Sequence, residues 1–231
     1  MDIDLHYTEH GSGDPLVLLH GNGEDGAYFE HQVECFRQRF RVIAVDSRGH
    51  GKSPRGAAPL TLAQMACDLA DFLDGLGIGS ANVLGFSDGA NVALLFALAH
   101  PDRVRSLVLN GGNLFPEGLT EQTRHEIAGE YDEALQAGDD SQLELLRLMT
   151  DEPNIDPASL SALHMPVLVV AGTDDMIEES HTRLIAASIP GARLEFVRGS
   201  HFIAAENPEE FNAVLAAFLD APDWLGTPTQ G

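Results

Sequence analysis

Apolar residues along this chain gather in short continuous runs: Leu16 to Leu19, Val42 to Val45, Asn82 to Leu84, Leu107 to Leu109, Val167 to Val170 and Leu194 to Val197. Runs without polar alternation predict strands buried on both faces. Helical patterns lie between most of them, which is the βαβ rhythm of an α/β domain: a mostly parallel, doubly wound sheet covered by helices on either side. Ile3 to Tyr7 and Leu16 to Leu19 are joined by the turn Gly11-Ser12-Gly13-Asp14-Pro15, too short for a crossover helix, so the spacing predicts an antiparallel hairpin at one end of the sheet.

The last helix carries full start signals. Asn207 is the expected N-cap, Pro208 takes the first helical position, and Glu209 and Glu210 stand in the first turn, ahead of an apolar face of Phe211, Val214, Leu215 and Phe218. Beyond Ala221 the Pro-, Gly- and Thr-containing end is expected to fray, with Trp224 docking.

One interval breaks the alternation. From Leu114 to about Ala162 no strand is evident, only helical stretches near Thr120 to Ala137 and Ser141 to Met149. This divides the chain into a core of residues 1–113 and 163–231 and a short helical cap inserted at 114–162. The insertion holds twelve acidic residues against Arg124 and Arg147.

Composition narrows the function classes. Of 231 residues, 44% are hydrophobic and 21% charged, which fits a globular protein and excludes a collagen, a coiled coil or a disordered chain. A net charge of −23 would repel phosphate backbones and anionic lipid heads, so neither nucleic acid nor membrane is an expected partner. No apolar run is long enough to span a bilayer, and Met1 to His10 has neither a basic start nor an apolar signal core; the expected location is the cytoplasm. Cys35 and Cys67 fall in amphipathic stretches and are expected to be reduced packing residues. His31, His164 and His181 lack paired ligand spacing, and no metal is expected. No dinucleotide fingerprint follows the first parallel strand.

The candidate chemistry centres on Gly85-Phe86-Ser87-Asp88-Gly89, which runs from a strand straight into a helix. In such a nucleophile elbow the central residue is held at an unfavourable φ/ψ, and the strain projects its hydroxyl above the strand end. His20-Gly21-Asn22-Gly23 follows the strand Leu16 to Leu19. The backbone N–H of Asn22, with that of Asp88, could hold the negative oxygen of a tetrahedral intermediate, while His20 itself reads as structural. A serine needs a base, and His201 is placed for it in the loop before the capped helix. The imidazole in turn needs a carboxylate to fix its tautomer. Asp175, at the carboxyl end of the strand Val167 to Val170, is the first choice and Asp174 the rival.

The order Ser87, Asp175, His201 resembles that of the α/β-hydrolase fold superfamily, and the resemblance extends from about Ile3 to Leu219. Asp46-Ser47-Arg48-Gly49-His50-Gly51-Lys52-Ser53 also looks like that family's D-x-R-G-x-G-x-S segment, whose role there is structural, so His50 is not the base. A finer resemblance, carried by the elbow with an aspartate after the serine and by Asn110-Gly111-Gly112-Asn113, is to the biphenyl-hydrolase-like proteins. It implies that Asp88 binds a substrate's α-amino group; the alternative is that Asp88 caps the following helix with its charge toward water. Phe86, Phe115 and Asn113 are further candidate substrate-binding residues.

The expected activity is therefore cofactor-free serine hydrolysis of a small carboxylic ester, in one form an amino-acid ester. The same triad would serve a carbon–carbon bond hydrolase or a cofactor-free perhydrolase or haloperoxidase. A ligand-binding homologue without turnover is the non-enzymatic alternative.

Overall fold

The computed structural model describes residues 2–221; Trp224 and the rest of the expected frayed end lie outside them. The strands are β1 (Tyr7–His10), β2 (Asp14–Leu19), β3 (Phe40–Val45), β4 (Ala81–Phe86), β5 (Val104–Asn110), β6 (Val167–Gly172) and β7 (Arg193–Val197). They form one sheet in the order β1-β3-β2-β4-β5-β6-β7, parallel throughout except for β1. The helices are α1 (Glu30–Phe36), α2 (Leu62–Gly75), α3 (Asp88–Ala99), α4 (Glu121–Ala137), α5 (Asp140–Thr150), α6 (Glu179–Ser188), α7 (Ile203–Glu206) and α8 (Pro208–Leu219).

The continuous apolar strands send alternate side chains to two cores, as a sheet covered on both faces requires. Leu16, Leu18, Val42 and Ala44 pack with Phe36 of α1 and with Phe211, Leu215 and Phe218 of α8. Val17, Leu19, Ile43 and Val45 pack on the other side with α2, α3 and Ile185 of α6. Because both layers are filled, the carboxyl ends of β2, β4, β5 and β6 are left as the one rim where loops can converge.

The predicted hairpin does not form. β1 pairs antiparallel with β3, Tyr7 opposite Val45 and His10 opposite Val42, while β2 lies between β3 and β4 as a parallel strand. Burial explains the choice. Leu16 to Leu19 is buried on both faces and gains from two neighbours, whereas Tyr7–His10 is largely exposed and suits the sheet edge.

Two smaller expectations also change. Cys35 and Cys67 are free but exposed on α1 and α2, so they are not packing residues. Asn207 precedes α8 as expected, yet its side-chain amide donates to Arg198 O and to Glu210 instead of accepting from the helix.

Within 114–162, α4 and α5 pack on each other through Ile127, Ala134, Leu143 and Leu146, joined by Leu119 and Ile177. Leu148, Ile155 and Leu160 of the same interval belong to the larger core beneath the sheet. The inserted helices are thus anchored over the rim on which the candidate residues stand. Among the described residues no helix is long and apolar enough to cross a membrane.

Candidate active site

Ser87 sits between β4 and α3 with φ 54° and ψ −121°, the one non-glycine residue among those described with positive φ. Such a conformation costs on the order of 1–3 kcal/mol and persists only when its surroundings dictate it. Here they do: a Cβ on Gly85 would strike the backbone of Gly89, and one on Gly89 would strike the backbone of Leu19 and His20. The serine is therefore locked at the tip of a turn that only those two glycines allow.

His201 reaches the same rim from the loop after β7. Its Nδ1 lies 2.6 Å from Asp175 Oδ1, and both side chains are almost wholly buried. Asp175 also accepts the N–H of Gly172 and of Ile177, each at 3.0 Å, which fixes the carboxylate at the end of β6. Burial pushes its carboxyl up, but the His201 hydrogen bond and charge together with the two N–H groups outweigh that and hold it below the usual range. Asp174, the rival, is exposed and accepts the neighbouring Thr173 hydroxyl. With Nδ1 committed to Asp175, the Nε2 of His201 is buried without a hydrogen-bond partner among the described residues, and His201 and Ser87 line one cavity. The closing Ser87–His201 hydrogen bond is absent, a common feature of unliganded sites.

Gly111, at the end of β5 with φ 62°, makes room for this pair: a Cβ there would lie 2.7 Å from His201 Cε1 and 2.9 Å from Nδ1. Gly111→Ala is expected to displace the imidazole and to cost at least roughly a hundredfold in turnover, while stability falls by only about 1–3 kcal/mol. Parallel measurement of kcat and of the unfolding midpoint checks this.

The loop after β2 is held from below. His20 Nε2 accepts the Ser47 N–H at 2.9 Å, so Nδ1 is the protonated nitrogen and donates to Gly21 O at 2.7 Å. Burial, the largest influence, lowers the His20 imidazole to about 4 and keeps it neutral, as its structural role requires. Asp46 accepts N–H groups from Gly26 and Lys52 and contacts His6 Nδ1 at 2.9 Å, while Arg48 grips Asp68 with two 2.7 Å hydrogen bonds. The Asp46 to Ser53 segment is thus a buttress, and His50, whose Nδ1 donates to Arg48 O, takes no place in the cavity. The backbone N–H groups of Asn22 and Asp88 have no acceptor among the described residues; Asn22 lines the same cavity as Ser87, and Asp88 follows Ser87 in the chain.

The cavity, about 390 Å³, is lined by Ser87, His201, Phe86, Phe202, Glu24 and Asn22 from the core and by Glu130, Gln142, Leu145, Leu146 and Met149 from α4 and α5, with Met176 beside Asp175. Of the predicted substrate-binding residues only Phe86 is in it. Asn113 exchanges two 2.9 Å hydrogen bonds with Asn91 and donates to Phe115 O, and Phe115 packs edge-on against His181. Both follow β5 and lie outside the cavity lining.

Asp88 is also turned away from the cavity. Its carboxylate is buried, not facing water, and accepts Asn22 Nδ2 at 2.9 Å; the same amide donates to Leu145 O on α5 at 2.8 Å, tying elbow to cap. Burial is the main reason that its carboxyl is raised from 3.8 to about 6. The folded state therefore holds this proton more tightly than the unfolded chain. Its stabilising contribution is complete below 3.8 and is lost as pH rises through about 6. Asp88→Asn is expected to remove a pH dependence on the order of 3 kcal/mol across that window, read from denaturant unfolding of both proteins between pH 4 and 7.

Sequence reasoning missed Glu24 and most of the cap wall. The pattern of α5 carried one signal, since Leu145, Leu146 and Met149 lie on neighbouring turns, but which residues face Ser87 depends on how the cap docks.

A family model described as alpha/beta hydrolase fold matches residues 14–137. The chain is 32% identical to a Caulobacter vibrioides protein described as a carbamate hydrolase, RutD, over 94% of this chain and 95% of that one. It is 30% identical to the 2-hydroxy-6-oxononadienedioate/2-hydroxy-6-oxononatrienedioate hydrolase of Burkholderia vietnamiensis, over 94% and 91%. The solved structure of a hydrolase from Pseudomonas aeruginosa PA01 is similar at a TM-score of 0.76 and 27% identity, with 95% of each chain covered. Seven strands in this order, a serine at a strained strand-to-helix turn and these full-length likenesses agree: the chain is a hydrolase and belongs to the alpha/beta hydrolase fold family.

Proposed function

We propose that the protein is a serine hydrolase of small carboxylic esters, working through Ser87, His201 and Asp175. The observation that carries this reading is the 2.6 Å His201–Asp175 contact, with the opposite ring nitrogen buried and unpartnered and with His201 and Ser87 lining one cavity. Ser87 Oγ attacks the ester carbonyl as His201 Nε2 takes its proton, and Asp175 balances the imidazolium. The N–H groups of Asn22 and Asp88 hold the oxyanion. His201 returns the proton to the departing alcohol, leaving an acyl group on Ser87, and a water activated by the same nitrogen releases the acid.

A carbon–carbon bond hydrolase is the weaker reading. The Burkholderia relative acts by name on a dioate, whereas no Arg or Lys lines this cavity and two carboxylates do. The Caulobacter relative's name makes carbamates a natural addition to a substrate panel. The exposed free thiols of Cys35 and Cys67 fit a reducing cytoplasm.

The test is twofold. Esters of p-nitrophenol with short acyl chains are expected to turn over, and a fluorophosphonate is expected to stop that turnover with one adduct, on the peptide carrying Ser87. Labelling elsewhere, or no turnover, would overturn the assignment.

A further inference from the structure

Glu24 follows the oxyanion-side turn His20-Gly21-Asn22-Gly23 and reaches the same cavity as Ser87 and His201. The point that a Cβ on Gly21 would occupy lies 3.1 Å from Ser87 Cβ and 3.2 Å from Glu24 Oε2, which places the carboxylate beside the candidate nucleophile. Oε2 accepts the Gly21 N–H at 3.1 Å, while Oε1 makes no hydrogen bond to a described residue. No Arg or Lys pairs with this half-buried carboxylate. Two other buried carboxylates are matched, Asp68 by Arg48 and Asp46 by His6 and two N–H groups, whereas Asp88, like Glu24, is held without a cation. Burial, the largest influence, raises the Glu24 carboxyl, while the Gly21 N–H and the nearby His201 act in the opposite direction.

The rest of the cavity repeats the sign. Exposed Glu130 of α4 also lines it, no described Arg or Lys does, and the rest of the wall combines polar Asn22 and Gln142 with apolar Phe86, Phe202, Leu145 and Leu146. A carboxylate in a cavity without Arg or Lys among the described residues favours a substrate that brings a positive charge to meet it. His201 lines this same space, so a substrate that reaches Ser87 and His201 shares the cavity with Glu24.

We propose that Glu24 is the specificity-determining residue of this site: it binds a positively charged group, an ammonium, carried next to the scissile carbonyl, and it turns away substrates bearing a carboxylate there. The inference rests on the serine-hydrolase reading given above. It assigns to Glu24 the amine recognition that the sequence suggested for Asp88, whose carboxylate lies behind the elbow.

Three p-nitrophenyl esters of one shape test it: those of alanine, of isobutyrate and of methylmalonate, in which ammonium, methyl and carboxylate occupy the same position. They are compared on the wild type and on Glu24→Gln at a pH where the amine is protonated. Glutamine keeps an acceptor for the Gly21 N–H, so the loop hydrogen bond survives while the charge is removed. In the wild type, kcat/KM is expected to favour alanine over isobutyrate by roughly ten- to a hundredfold, and isobutyrate over methylmalonate by a similar factor. In Glu24→Gln both ratios should collapse toward one, and in Glu24→Asp the first should be partly retained. If the wild type hydrolyses isobutyrate but ranks the three esters without regard to charge, or if Glu24→Gln leaves the ratios unchanged, the inference fails and the serine-hydrolase reading stands. If the wild type hydrolyses none and Ser87 takes no fluorophosphonate, both fail. The wild-type ranking needs no variant to fold.

Discussion

Ser87→Ala is expected to lower p-nitrophenyl ester turnover by roughly 10³- to 10⁶-fold with the fold intact, and His201→Ala to fall nearly as far. The hydroxyl is the atom that forms the acyl bond, and without it only water attack in the same cavity remains. The alanine change should leave stability unharmed. The strain at φ 54° comes from the Cβ, which alanine keeps, so the change adds none, and no hydrogen bond of the Ser87 hydroxyl to another described residue is lost. The double variant Ser87→Ala/His201→Ala should be scarcely slower than either single one, because the imidazole has no task once its proton donor is gone. Steady-state rates on one ester across the three proteins check this. Independent, multiplying losses would mean that Ser87 and His201 do not act as a unit.

Asp68→Ala carries the largest expected effect on stability. The Arg48 side chain is fully buried and held by Asp68, itself 1% exposed, through two hydrogen bonds, with half-exposed Asp2 as its other carboxylate partner. Removing Asp68 leaves a buried guanidinium largely uncompensated, at a cost of about 3–5 kcal/mol, or a fall in Tm of roughly 6–20 °C for a chain of this size. A paired replacement, Arg48→Met with Asp68→Leu, should recover most of that loss, since it removes both charges and keeps the volume. Thermal unfolding of the single and paired variants separates the two cases. A paired variant as unstable as the single one would mean that the loop geometry, and not the buried charge, sets the cost.

Much of the candidate site was legible because its determinants are local. The elbow is readable from Gly85, Ser87 and Gly89: a positive φ at a serine is possible only where the flanking Cβ positions are empty, and that condition is written in adjacent letters. The placement of His201 and Asp175 at strand ends follows from parallel strands delivering their carboxyl ends to one rim. The choice between Asp174 and Asp175 could not be read so directly. It depends on which carboxylate the N–H groups of Gly172 and Ile177 turn inward.

Local pattern alone thus determined the alternation of strand and helix, the interruption at residues 114–162 and the strained serine, while the structural role of the Asp46 to Ser53 segment followed from the family resemblance. Tertiary structure decided what depends on distant partners. β1 lies beside β3 instead of β2 because the two-face burial of β2 calls for a neighbour on each side. Asp88 turns inward because Asn22, distant in sequence, offers it an amide that is also bonded to the cap. Glu24 and Ser87 both close in on Gly21, to 3.2 and 3.1 Å from where a Cβ would stand, because that residue has no side chain. Backbone sterics act between neighbours in the chain and can be read there, whereas burial and charge are settled only when the sheet order and the docking of α4 and α5 bring remote groups together.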